Sequence, residues 1–417
     1  MKRVAVVICN YNKKEDVLAC IQAVLDSDYA NFDIYVVDNG STDGSVAAIE
    51  KQYGEKLHLL AHKENLGGTG GFNSGLDLVK EKDYAYVMCL DNDAMVMPTA
   101  ISAMVAFLES HEAVGMVGAK VYHRQYPDYV QQMGICFSFA QFGAETLYAD
   151  VLDGPDIPET VYCDAVAACA VMLPMQVLRQ VGGMPRDTFL YWDDMEWGYK
   201  VKQAGYQVAV TGSAKVYHTM SANTPKKDTF SIYYLWRNRV HFYLKYTKEA
   251  EWDAMCQAML QTVFREMYMA MYQEAHNVSK TIQIAFFDGI MNVMGKANPE
   301  KILSYDGNKM EEKWKQVLQK SKTIAVEDSI QMGLAGLLQE QMPQVQIVEK
   351  AEGVPVWKSC ADIMQVSSYK DGEIYVDVDG NLLCNAEDWQ GVSNYTYSLV
   401  VFVYMHQELL HYRRKIV

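Results

Sequence analysis

Over the first 95 residues, short apolar runs alternate with stripes of helical period. Val4 to Ile8 predicts a strand that stops in Cys9-Asn10-Tyr11-Asn12, and Val17, Leu18, Ile21, Val24 and Leu25 then share one helical face. A second strand, Ile34 to Val37, ends in the turn-rich Asp38-Asn39-Gly40-Ser41-Thr42-Asp43-Gly44 and precedes a helical pattern near Val46 to Tyr53. Leu57 to Ala61 is a third strand. After the glycine-rich stretch Asn65 to Gly75 comes Tyr84 to Ala94, an apolar run without polar alternation that breaks off in Asp91-Asn92-Asp93. Strand and helix alternating four times in this way predict a parallel sheet with helices on both faces.

In such a sheet the C-terminal strand ends lie along one edge, where ligands bind. Asn10, Asp38, the glycine stretch and Asp91 to Asp93 therefore face one crevice, a concentration of polar, carboxylate and glycine groups that points to a nucleotide. Asp91 and Asp93, one residue apart, suit a hard divalent cation held against phosphate oxygens. Asp38 can accept hydrogen bonds from a base or ribose, and small residues let backbone amides approach a diphosphate. The glycine stretch fits neither common phosphate loop. It follows the third strand rather than the first, and Leu76 and Asp77 stand where a Walker-type loop needs Lys and Ser or Thr. A flexible loop opening a helix at Phe72 is the alternative reading.

Farther on, Pro98 to Glu109 predicts an amphipathic helix and Val114 to Val121 a strand, while residues 122–160 show no clear period. Tyr162 to Leu173 predicts one buried strand. Phe189-Leu190-Tyr191-Trp192 then runs into Asp193-Asp194-Met195-Glu196-Trp197, where one acid can cap the following helix but three acids exceed that need. A carboxylate pointing from this helix start into a cleft is a candidate general base, and Trp192 offers a stacking surface for a sugar ring. Val216-Tyr217-His218 ends a further strand, and the His218 imidazole is a candidate ligand for the same metal. Phe230 to Tyr246 and Glu249 to His276 are helical by pattern, Gly289 to Leu338 holds shorter helices, and Asp379-Gly380 between Ile374, Val376, Val378 and Leu382 signals a hairpin.

Composition narrows the function classes. A net charge of −15 excludes a general nucleic-acid binder, whose affinity for phosphate backbones needs Lys and Arg clusters. The nine cysteines include no CxxC pair and read as buried thiols of a reducing cytosol. No apolar run approaches the ~20 residues needed to span a bilayer. Tyr395 to Met405, followed by His411, Arg413, Arg414 and Lys415, allows peripheral contact with an anionic inner-membrane surface from a cytoplasmic location, beside the plainer reading of a terminal helix or strand.

The order of VVICNYN, VVDNGSTDGS, NLGGTGGFNSG, CLDNDA, FLYWDDMEW and VYH resembles the inverting family 2 glycosyltransferases with a GT-A fold, over roughly residues 3 to 245. The NLGGTGGFN and WDDME segments, with Tyr234-Leu235-Trp236-Arg237-Asn238-Arg239, are most similar to the galactofuranosyltransferase and rhamnosyltransferase branch. The resemblance implies an α/β GT-A catalytic domain over residues 1–225, built on a mostly parallel sheet with flanking helices. A helical region over 226–340 and a small α+β C-terminal subdomain over 341–417 would follow. It implies that Asn10, Tyr11 and Asp38 hold the donor nucleotide, that Asn65, Gly67, Gly68, Gly71 and Asn73 approach its diphosphate and sugar, and that Asp91 also contacts the nucleotide. Asp91, Asp93 and His218 would hold Mn²⁺ or Mg²⁺. Asp194 matches the catalytic base, with Asp193, Glu196 and Trp192 shaping the acceptor site.

The expected donor is UDP-galactofuranose, with dTDP-rhamnose as its rival, and the expected acceptor a glycan or lipid-linked glycan. The chain begins directly with the first strand, without the N-terminal β domain of the branch's large enzymes. Their processivity and assembly are therefore not carried over, and the oligomeric state stays open. Two other classes remain: a sugar nucleotidyltransferase, which needs a glycine-rich basic loop where this chain has CNYNKKED, and a non-catalytic sugar-nucleotide binding protein.

Overall fold

The computed structural model describes residues 1–219 and 227–416, with side chains described as far as Arg414. Met1–Pro225, Tyr234–Glu251 and Asn292–Asn298 form one compact unit, and Lys226–Tyr233, Trp252–Met291 and Pro299–Val417 a second.

The first unit opens with β1 (Val4–Asn10), α1 (Lys14–Leu25), β2 (Phe32–Asp38), α2 (Ser45–Tyr53), β3 (His58–Ala61), α3 (Gly67–Val79) and β4 (Tyr86–Asp91). It continues with β5 (Met95–Val96), α4 (Ala100–Ser110), β6 (Val114–His123), β7 (Tyr129–Gln132), β8 (Ile135–Ser138), β9 (Gly143–Thr146), β10 (Val151–Leu152) and β11 (Thr160–Cys163). Then follow β12 (Ala170–Pro174), α5 (Met175–Val181), α6 (Asp193–Gln203), β13 (Gln207–His218) and α7 (Phe230–Tyr246), the last belonging to this unit from Tyr234 onward.

The main sheet runs β10-β7-β6-β12-β4-β1-β2-β3, with β13 beside β6. The stretch β4-β1-β2-β3 is parallel, as the alternation of strands and helices predicted. β1, β2 and β4 are buried on both faces, consecutive side chains going to opposite layers, while the edge strand β3 is partly exposed. Val4, Val6 and Ile8 pack with Val17, Ile21 and Val24 of α1 on one face, and Ala5 and Val7 with Phe72, Leu76 and Val79 of α3 on the other.

Two expectations are corrected. The glycine stretch is not a loop leading to Phe72: α3 begins at Gly67, so its first turns are glycine-rich helix. Local hydrogen bonds hold that start, since Asn65 Oδ1 accepts from Gly67 N at 2.8 Å and Asn39 Oδ1 from Leu66 N at 3.0 Å. The glycines thin the helix where it meets the sheet: a Cβ at Gly71 would lie 2.3 Å from Cys9 Sγ. Tyr162 to Leu173 is likewise not one strand. It divides into β11, which pairs antiparallel with β13, and β12, which enters antiparallel between β4 and β6. The break at Asp164 to Cys169 was hidden because small apolar residues fill both strands and the turn alike.

The second unit contains α8 (Trp252–Tyr272), α9 (His276–Ile290), α10 (Met310–Lys320), β14 (Thr323–Glu327), α11 (Leu334–Gln341), β15 (Gln346–Ile347), β16 (Val356–Ser359), β17 (Glu373–Val376), β18 (Leu382–Leu383) and α12 (Ala386–Ile416). Its strands form a separate sheet, β15-β14-β16-β17-β18, in which β17 and β18 are the expected hairpin. Tyr395 to Met405 lies in the middle of the long α12. Arg414 sits over the Trp252 ring, while the Lys415 side chain lies outside the described residues. No helix among the described residues is long and apolar enough to cross a membrane.

Candidate active site

The register of the parallel strands sets the polar ends side by side. Cys9 lies opposite Asp91 across β1 and β4, and Asn10 opposite Asp38 across β1 and β2. Strand order reverses between β1 and β4, which opens the crevice at this edge. The buried Asn10 ties three strand ends together: its Nδ2 donates to Asp38 Oδ2 at 2.8 Å, and its Oδ1 accepts from Asn92 Nδ2 at 2.8 Å. Asp38 Oδ1 accepts from Ser41 N, and Tyr11 stands exposed just beyond β1.

His218 reaches the same edge through pairing, not through sequence proximity. β13 runs antiparallel to β5, with Tyr217 opposite Met95, so the end of β13 arrives beside Asp93. His218 Nε2 lies 3.2 Å from Asp93 Oδ1 and 3.7 Å from Asp91 Oδ2, and one ligand atom from each of the three residues falls within 4.8 Å of the others. His218 Nδ1 meets Gln131 Oε1 at 2.9 Å, a contact that favours a proton on Nδ1 and aims Nε2 at the two carboxylates. Two carboxylates and one imidazole, oriented in this way from behind, fit a divalent cation.

The two carboxylates differ electrostatically. Burial and the neighbouring Asp93 push Asp91 up against the opposing charge of His218, and the solvent at its 39% exposed side chain screens that effect. Burial also acts upward on Asp93, but hydrogen bonds and charges from His218 and from Lys13, whose Nζ is 2.5 Å away, outweigh it and hold the group at about 2. Desolvation acts downward on His218, but its hydrogen bond to Asp93 and the Asp91 and Asp93 charges outweigh it and raise the group, against the charge of Lys13.

The turn between β11 and β12 links this cluster to the acidic helix start. Asp91 N donates to Cys169 O at 3.2 Å, and the adjacent Ala168 N donates to Asp194 Oδ2 at 3.2 Å. Met195 N donates to Asp194 Oδ1 at 2.8 Å. Burial, then the Asp193 charge, raise Asp194 to about 7, with the Asp91 charge adding to the effect.

The other two acids are engaged by side chains. Asp193 accepts from Thr69 Oγ1 at 2.7 Å, and the buried Glu196 accepts from Lys245 Nζ and Tyr246 OH, both at 2.7 Å. Asp194 alone of the three is held only by backbone amides among the described residues, which leaves its proton acceptor uncommitted.

Other expected site residues fall elsewhere. Gly67 and Gly68 face the Phe189-Leu190 turn, and a Cβ at Gly67 would come within 2.0 Å of Phe189 O. Gly71 meets the sheet, and Asn73 is buried with its Nδ2 on Met184 O, away from the strand ends. Asn65, just before the start of α3, accepts from Gly67 N through its Oδ1. Trp192 is 5% exposed, its ring packed among Phe137, Phe242 and Tyr243. Sequence reasoning missed Lys13 and Gln131, which no motif marks. It also gave Arg237 and Asn238 no role, although both are buried polar groups that bind the turn before Asp193.

This α/β domain thus sets carboxylates, a triad that fits a cation and a raised acid at a strand-order reversal, the place where open α/β sheets bind ligands. Residues 5–154 match the model of glycosyl transferase family 2. Galactofuranosyltransferase GlfT2 of Mycolicibacterium smegmatis is 24% identical over 260 residues, covering 57% of this chain and 40% of that protein. The Escherichia coli protein WfaP, a UDP-Glc:alpha-D-GlcNAc-diphosphoundecaprenol beta-1,3-glucosyltransferase, is 28% identical over 112 residues, covering 27% of this chain and 43% of its own. The chain thus spans less than half the length of these relatives. Among solved structures, GalNAc-T7 with UDP, GalNAc and Mn²⁺ aligns at a TM-score of 0.48 and 12% identity, covering 62% of this chain and 50% of that one.

Proposed function

We propose that the protein is an inverting glycosyltransferase that moves a sugar from a nucleotide-diphospho-sugar to an acceptor hydroxyl. The observation that carries this reading is the raised, backbone-held Asp194 next to the Asp91, Asp93 and His218 triad. Asn10 and Asp38 would receive the nucleoside, and the edge of β1 and β4 its diphosphate. A divalent cation held by Asp91, Asp93 and His218 supplies charge neutralisation for the leaving diphosphate.

Asp194 would take the proton from the acceptor hydroxyl as the oxygen attacks the anomeric carbon. An acid near pH 7 suits that task, being ionised in a useful fraction while still basic. A single displacement from the face opposite the leaving group inverts the anomeric configuration. Asp193 and Glu196, through Thr69, Lys245 and Tyr246, would hold the start of α6 in place.

The donor we propose is UDP-galactofuranose, supported by the relatives named galactofuranosyltransferase; dTDP-rhamnose is the second reading, from the same motif resemblance. A glycan or lipid-linked glycan is the proposed acceptor. The test is UDP release with Mn²⁺ across a panel of sugar nucleotides and acceptors, with and without EDTA. Donor-dependent release that EDTA abolishes and Asp93→Asn reduces is expected. Full activity of Asp93→Asn in metal-free buffer would overturn the metal assignment, and pyrophosphate release from a sugar phosphate and a nucleoside triphosphate would overturn the transferase.

A further inference from the structure

We propose that Asn238, backed by Arg237, is a positioning residue that fixes the Phe189 to Trp192 turn and so sets where Asp194 stands. The proposal rests on the transferase reading for its consequence, but its geometry stands alone.

Phe189, Tyr191 and Trp192 have φ of 72°, 61° and 65°, three left-handed residues with side chains within four positions. Such conformations are costly for residues bearing a Cβ and persist only where surrounding contacts impose them. Here the imposing contacts can be followed carbonyl by carbonyl. Thr188 O accepts from Arg237 Nη2 at 2.6 Å and from Asn238 Nδ2 at 3.2 Å. Phe189 O accepts from Thr69 N at 3.2 Å, at the start of α3. Leu190 O and Tyr191 O both accept from Asn238 Nδ2, at 2.8 and 2.9 Å, and Trp192 O accepts from Glu196 N in the first turn of α6.

One buried amide thus serves the two carbonyls in the middle of the turn. Arg237 holds Asn238 in turn, with Nε on Asn238 Oδ1 at 2.9 Å and Nη1 on Gly295 O at 2.7 Å. With its oxygen fixed by a guanidinium, the amide can present only its NH₂ to the turn. This accounts for the Arg-Asn pair in Tyr234 to Arg239, a motif otherwise left without a role. Releasing the turn would let the left-handed residues relax, moving the start of α6 and with it Asp194, the second residue of that helix.

The pH profile gives a readout that mere structural damage does not imitate. The groups that face Asp194 are Asp193 on its own helix, Asp91 at the end of β4, and the Cys169 thiol and Ala168 amide on the turn before β12. Its acidity is weakened by burial first and by Asp193 second, so a relaxed turn that admits water strengthens it and lets the group ionise at lower pH.

The experiment compares wild type with Asn238→Asp and Arg237→Lys. Asn238→Asp keeps the shape but sets an acceptor against three backbone acceptors. Hydrogen exchange of amides 188 to 194 should quicken in Asn238→Asp with the β1 to β4 sheet unchanged. Affinity for UDP with Mn²⁺ should stay within a few-fold, kcat should fall by about 10²-fold as misplaced catalytic groups do, and the rising limb of the rate against pH should move to lower pH. Arg237→Lys should show the same changes to a smaller degree, and it decides the matter if Asn238→Asp does not fold. Unchanged exchange at 188 to 194 overturns the proposal whatever the enzyme's activity. So does kcat within a few-fold of wild type, or a loss matched by an equal loss of UDP binding. Absence of turnover in the wild type itself would instead count against the transferase reading, with hydrogen exchange still judging the turn.

Discussion

Replacing Asp194 with Asn separates proton transfer from folding. The side chain keeps its size and one amide contact, but it cannot take a proton at neutral pH. Loss of general-base help costs about 10² to 10⁴ in rate, or roughly 3 to 5 kcal/mol at 1.36 kcal/mol per decade.

Stability should move the other way. The folded protein holds the Asp194 acid at about 7 against an ordinary 3.8, so it disfavours the ionised form. The unfolded chain ionises from about pH 4 upward, and this group therefore withdraws stability as pH rises from about 4 to 7, with the full penalty above that. Three units correspond to roughly 4 kcal/mol, reduced to about 2 by the solvent that reaches this partly exposed side chain. Against this stands one amide, of Ala168 or Met195, that Asn can no longer satisfy, worth about 1 kcal/mol.

Asp194→Asn should thus melt at or slightly above the wild-type temperature at pH 8, lose that advantage at pH 5, bind UDP with Mn²⁺ normally and turn over at most about 1% as fast. Wild-type kcat should rise with pH through about 7, the slope belonging to Asp194. Donor affinity, melting curves at the two pH values and turnover on one preparation test the whole chain of reasoning. A variant that turns over within a few-fold of wild type would refute it, because a mere helix cap is served equally well by Asn.

Other outcomes follow from single contacts. Gln131→Leu removes the partner of His218 Nδ1 and should weaken Mn²⁺ binding about 10- to 100-fold while UDP without metal binds as before; unchanged metal affinity by calorimetry would count against the triad. Gly71→Ala drives a methyl toward Cys9 Sγ and should destabilise the protein by about 1 to 3 kcal/mol, read as a lower urea midpoint; an unchanged midpoint would mean that α3 can move off the sheet. For the proposed peripheral membrane contact, binding to anionic vesicles should fall as salt rises and fall further in Arg413→Glu/Arg414→Glu; equal binding by intact and reversed proteins would refute it.

The sequence by itself determined the parallel half of the sheet, because strands buried on both faces must be continuously apolar and their helices carry one apolar stripe. It also marked Asn10, Asp38 and Asp91 to Asp93 as neighbours, since strand ends in a parallel sheet share an edge whatever the loops do. Only the tertiary structure decided the rest. His218 reaches Asp93 through antiparallel pairing of β13 with β5, and a two-residue strand leaves no periodicity to read. The resemblance implies that the glycine stretch approaches the diphosphate, but that Gly71 faces Cys9 and Asn73 binds Met184 O shows only in the fold, because the need for a missing Cβ at Gly71 is set by what lies opposite. Among Asp193, Asp194 and Glu196, motif order ranked Asp194 first, but the physical ground lies in partners distant in sequence: Thr69 engages Asp193, Lys245 and Tyr246 engage Glu196, and among the described residues backbone amides alone hold Asp194. Local pattern fixes which face of an element is apolar; which acid keeps a lone pair free depends on side chains that only folding brings near.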